Sequence, residues 1–124
     1  MILRLISSIV ARFRKPLELG SPKANKLVLV QIAEQGDDGT EERNVRHFAY
    51  PMRIPSAAGR DRDVDLFAEV GLDVSDTQYR GGLMGEHYAA VANEDFDQLT
   101  DSLRDEFERL GWEYDGWECA VLKS

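Results

Sequence analysis

The chain has 124 residues, 43% hydrophobic, 9% aromatic and 31% charged, the size and composition of one globular domain rather than two. Fifteen Lys and Arg against 23 Asp and Glu give a net charge of −8, a poor balance for gripping phosphate backbones, where affinity rests on cationic side chains releasing counterions. A single cysteine excludes an internal disulfide framework, and no apolar run reaches the roughly 18 residues of a membrane span.

The charge is unevenly spread. Residues 1–26 hold six basic residues and Glu18, for +5, and the other 98 residues hold nine basic and 22 acidic ones, for −13. Residues 1–16 read as a basic amphipathic helix. Ile2, Leu3, Leu5, Ile6, Ile9, Val10 and Phe13 fall within one arc of roughly 160°, opposite Arg4, Ser8, Arg12, Arg14 and Lys15. Pro16 ends it. Such a helix can dock on its own domain or on a partner subunit, lie on a membrane surface through residues 1–15, or be a processed targeting peptide. As a secretory signal it is poor, because Arg4 interrupts the apolar stretch.

Residues 17–25 form a linker, and 26–124 the main domain. Leu27 to Ala33 is rich in branched residues, as a strand would be, but Ser21 is a good N-cap, Pro22 suits a first helical position and Gly36 suits a stop. The punctuation predicts a helix over about 22–35, followed by an exposed acidic loop at 36–43. Asn44 to Tyr50 reads as a strand ended by Pro51, and 51–60 as a connection. A helix follows over Asp61 to Val70, with Val64, Phe67 and Ala68 on one side. Leu72 to Tyr79 and Glu86 to Ala92 read as strands flanking a glycine-rich turn at 81–85. Phe96, Leu99, Leu103, Phe107 and Leu110 recur at steps of three and four, one apolar stripe of a final helix that Gly111 closes. Glu113 to Leu122 alternates as the last strand. From Asn44 onward the order is βαββαβ. That order predicts an α+β, ferredoxin-like sandwich with extra N-terminal helices.

Catalytic signatures are absent from the sequence. His47 and His87 fall on neighbouring strands of such a sheet and can approach each other, but no third ligand with metal-site spacing accompanies them. Cys119 sits in an apolar strand end without a basic neighbour, the setting of an inert thiol. The glycines at 81–85 join strand to strand, not strand to helix as a phosphate loop does. Phe48 and Tyr50 offer aromatics on a strand, but a domain at −13 repels RNA over most approaches. These features predict neither metal, cofactor nor direct nucleic-acid ligand. Asp97, Asp101, Asp105 and Glu108 trace an acidic stripe on the last helix, where Asp105 can pair with Arg109. With the acidic loop, the stripe suits a basic, Arg-rich protein segment.

Glu113-Tyr114-Asp115-Gly116-Trp117 resembles the E-Y-D-G-W segment that closes the domain of the regulator of ribonuclease E activity B family, RraB. Residues 25–50 are similar to that family's opening helix, Gly-Asp loop and V-x-H-aromatic strand. Gly71-Leu72-Asp73-Val74 falls at its step into the second strand. The resemblance covers about residues 25–122. It implies a non-enzymatic protein that binds the Arg-rich scaffold half of ribonuclease E and inhibits RNA cleavage; the expected location is the cytoplasm, or, through the amphipathic residues 1–15, the periphery of the membrane's inner face. A membrane-associated interaction module without a ribonuclease role is the alternative. The acidic stripe and the motif together give Asp97, Asp101, Asp105, Glu108, Tyr114, Asp115 and Trp117 as candidate partner-binding residues. Simple alternation puts Tyr114 and Gly116 on one side of the strand and Asp115 and Trp117 on the other. Trp117 is then a core anchor or an exposed contact, and Gly116 permits a bulge or a close backbone approach.

Overall fold

The computed structural model describes residues 2–4, 18–77 and 81–122. In chain order these form β1 (Ile2–Arg4), α1 (Pro22–Ala33), β2 (Arg43–Pro51), α2 (Ala57–Glu69), β3 (Asp73–Asp76), β4 (Leu83–Ala89), α3 (Glu94–Arg109) and β5 (Trp112–Ala120). One antiparallel sheet has the order β1-β5-β2-β4-β3. The fold is α+β, as the sequence predicts.

Each helix starts where a side chain satisfies a free amide. Ser21 Oγ accepts from the Ala24 amide at 3.2 Å, and Pro22 opens α1. The branched residues of α1 do not make it a strand, because Ala24, Val28 and Ile32 recur every fourth residue and all are buried. Ser56 caps α2 at 3.0 Å from the Gly59 amide, so this helix begins four residues before the expected Asp61. Asn93 caps α3 at 2.7 Å from the Phe96 amide. Glu94, Asp95 and Asp97 in its first turn and Arg109 in its last suit the helix dipole. Its buried face is Phe96, Thr100, Leu103 and Phe107. Each large apolar side chain there contributes about 1.5–3 kcal/mol through burial.

The helices share one face of the sheet. Phe96 packs edge-on to Trp117 at 4.8 Å and over His47 at 6.1 Å. Phe67 of α2 meets Phe107 of α3 at 3.9 Å and stands perpendicular to Trp112, whose indole N–H donates to buried Asp63 at 2.8 Å. Opposite this face, Arg46 lies between Glu86 and Glu118 at 3.6 and 3.7 Å, in register with both. No helix among the described residues is long and apolar enough to cross a membrane.

Four local expectations change. Ile2–Arg4 extend the sheet beside β5 instead of opening a helix; the rest of the expected amphipathic helix lies outside the described residues. The expected linker at 17–25 overlaps the expected helix over 22–35, and residues 22–25 belong to the helix, with Ala24 and Asn25 already buried. β4 begins at Leu83, inside the expected turn. Gly85 lies in this strand, paired with His47 and Val74, and Leu72 packs directly over it, where an added Cβ would stand 2.8 Å from Leu72 Cδ1. Finally, the loop at 36–43 is not uniformly exposed. Asp37 is buried and grips Arg43 through both carboxylate oxygens, at 2.9 Å for the Oδ1 contact. It also accepts from the Gly39 and Leu122 amides at 2.9 and 2.8 Å, and the Arg43 hydrogen bond, above all, holds its carboxyl well below the usual carboxylate range.

Candidate functional site

The candidate residues divide between α3 and β5. On α3, Asp97 is half-buried and accepts from Asn25 Nδ2 at 2.8 Å. Asp101 pairs with Arg104 at 2.9 Å, and Arg104 also approaches Glu18 at 3.5 Å. Asp105 and Glu108 are exposed and have no ion-pair partner among the described residues. Arg109, the expected partner of Asp105, pairs with Glu106 three residues before it instead. The stripe therefore has an engaged half, in which Asp97 ties α3 to α1 and Asp101 pairs within α3, and an exposed half facing solvent. Over the whole helix, seven acids outnumber two arginines.

On β5 the backbone overrides alternation. His47 pairs with Trp117 and Ala49 with Tyr114, so the register shifts and Asp115-Gly116 together oppose Phe48. Gly116 has φ 89°, the left-handed conformation that a bulge of this kind requires. The extra residue returns Trp117 to the side occupied by Tyr114. Both are buried, at 3% and 6% exposure, while Asp115 is half-buried. Trp117 donates to Asn25 Oδ1 at 2.8 Å, and Asn25 Nδ2 also reaches Thr100 Oγ1 at 3.0 Å. Thr100 in turn donates to the Gly20 carbonyl at 2.5 Å. One asparagine thus joins α1, α3 and β5. Its position between Ala24 and Lys26 gave no sequence signal for that role.

Tyr114 reaches His47 and, through it, His87. Its hydroxyl lies 2.8 Å from His47 Nδ1, and His47 Nε2 lies 2.8 Å from His87 Nε2. Two proton arrangements satisfy this chain, and in each both rings are neutral and one Nε2–H donates to the other nitrogen. Burial, and then His87, pushes the His47 pKa down to about 3. Burial also lowers that of His87, which stacks on Phe96 at 6.4 Å. Among the described residues no group of three His, Cys, Asp or Glu is placed to hold a metal ion. Cys119 is buried, and burial pushes its thiol up to about 11, far from a nucleophilic thiolate at neutral pH.

What the arrangement offers chemically is a charged surface over a tied core, with the carboxylates of Asp105 and Glu108 exposed to solvent. No curated protein matches the chain. The sequence model of the family described as regulator of ribonuclease activity B matches residues 23–119, from the first turn of α1 to Cys119. The span takes in Asn25, the two histidines, the acids of α3 and the bulged Tyr114–Trp117 motif, and the chain belongs to the regulator of ribonuclease activity B family.

Proposed function

We propose that this chain is a cytoplasmic, non-enzymatic regulator that binds a ribonuclease and slows its cleavage of RNA. The observation that carries the reading is the family match over residues 23–119. The partner segment is basic and Arg-rich, and it meets the acidic surface of α3. Asp105 and Glu108 make first contact, since Asp97 and Asp101 already serve Asn25 and Arg104. Complementary fields of this kind speed and orient association. Asp115 adds to the negative field, whereas buried Tyr114 and Trp117 hold β5 and α3 in place beneath it. The antiparallel order β5-β2-β4-β3, with α2 and α3 on one face, supports reading the sheet as ferredoxin-like. β1 and α1 are additions to it.

The test is an RNA cleavage assay with purified ribonuclease E and increasing amounts of this protein. Cleavage slows in proportion to complex formed. Unchanged cleavage at every protein concentration overturns the reading.

A further inference from the structure

Between α2 and α3 runs a groove of about 360 Å³ that the core leaves open. Phe67, Leu99 and Leu103 line its base. Leu66 and Val70, one helical turn apart, line its α2 side and are 38% and 51% exposed. Scattered exposed apolar residues are ordinary, but these two are four residues apart on one helix face and both border the groove's apolar lining.

The surrounding charge selects the occupant. Glu69 and Glu106 line the groove. Besides these, α2 carries Asp61, Asp65 and the buried Asp63 against two arginines, and α3 carries six more acids against two arginines, one of which, Arg109, pairs with Glu106. A second copy of the chain would bring the same negative field to the contact, and an acidic partner would be repelled. A cationic partner gains at the rim while its apolar side chains fill the groove.

We propose that this groove is the docking site for a basic amphipathic helix of the partner protein. Its apolar stripe seats on Leu66, Val70 and Leu99, and its Arg or Lys residues face Glu69 and the acids of α2 and α3. The proposal rests on the protein-binding reading above and adds an apolar anchor that a purely acidic surface lacks. Such a complex keeps part of its affinity at high salt, because screening weakens exposed charge pairs and leaves apolar burial in place.

The probe is a synthetic helical peptide of about 18 residues with leucines at i, i+3, i+4 and i+7 and arginines opposite, beside a scrambled isomer of the same composition. Binding is measured to the wild-type chain and to the Leu66→Asp/Val70→Asp variant, its fold checked by circular dichroism. The added carboxylates strengthen the negative field, so an electrostatic surface alone binds the variant as tightly or more tightly. The groove predicts a loss of about tenfold or more, and preference for the patterned peptide over the scrambled one. Should the aspartates impair folding, Leu66→Ala/Val70→Ala gives the same reading at constant charge.

Undiminished binding by the folded variant, or equal binding of both peptides, overturns the proposal. A wild-type dimer that these substitutions split assigns the groove to a second copy and overturns it too. Peptide binding that appears only after Ile6, Ile9 and Phe13 are replaced by serine assigns it to the chain's own N-terminal segment, with the same consequence. Ribonuclease E added to the same proteins keeps the two readings apart. If wild type and variant bind it equally, the groove fails and the regulator reading stands. If neither binds it while the peptide result holds, the groove stands and the ribonuclease reading fails.

Discussion

Trp117 donates its indole N–H to Asn25 Oδ1 across 2.8 Å, and through this bond the bulged strand segment Tyr114–Trp117 is fastened to α1 inside the protein. The same asparagine holds Asp97 and Thr100 of α3. This one residue thereby sets the positions of the helix that carries the acids and the strand that carries the motif.

Replacing Asn25 by alanine leaves the buried Trp117 N–H without its acceptor and removes a donor from Thr100. The expected cost is about 1–3 kcal/mol. It is read as a lower urea midpoint with unchanged denaturant slope. A midpoint equal to that of the wild type contradicts the role assigned to Asn25.

Asp37→Asn leaves the fully buried Arg43 side chain without its counter-charge, at a cost of about 3–5 kcal/mol. The sign of the pH dependence follows from the lowered carboxyl. The unfolded chain binds a proton near the ordinary value while the folded chain resists it. The stabilisation is therefore full above about pH 5 and is lost progressively as pH falls below about 4. Urea midpoints of wild type and variant should differ strongly at neutral pH and converge in acid. A constant difference across that range refutes the pairing.

The histidine pair acts in a higher window. His47 ionises near 6.5 when unfolded and near 3 when folded. Stability is present above about pH 7 and declines as pH falls through 6 toward 3, because only the unfolded chain takes up the proton. The wild-type urea midpoint is expected to be lower at about pH 5 than at about pH 7.5, and His47→Gln should flatten that slope. An equally steep slope in the variant shows that other groups cause it.

Gly116→Ala tests the bulge. At φ 89° an L side chain costs about 1–2 kcal/mol, and a register slip that relieved it would turn Trp117 away from Asn25. A lower urea midpoint and altered tryptophan fluorescence are expected. A wild-type midpoint would mean that the strand does without the left-handed residue.

The parts of this fold legible in the sequence are those set by local pattern. Phe96, Leu103 and Phe107 announce α3 through their spacing, and Ser21-Pro22 announces α1 although Leu27 to Ile32 has strand-like composition. What depends on several distant segments was not legible. Asp37 and Arg43 are only six residues apart, but their burial also requires Ala120 and Leu122. The bulge changes the side assigned to Trp117 because one inserted residue reverses every later position on a strand. The acidic stripe was readable as a stripe. Which of its members face solvent is decided by Asn25 and Arg104, on partners that helical periodicity does not reveal. Leu66 and Val70 gave no signal, since their exposure depends on how α2 lies against α3.

The most direct measurement is the affinity of ribonuclease E for the wild-type chain and for Asp105→Lys/Glu108→Lys, at about 50 mM and about 500 mM salt. A complex is expected with the wild type at low salt, weaker at high salt. The variant should bind about tenfold or more weakly, with an unchanged urea midpoint, because both side chains are exposed and unpaired among the described residues. Absence of a wild-type complex at low salt, or equal affinity after charge reversal, contradicts the account.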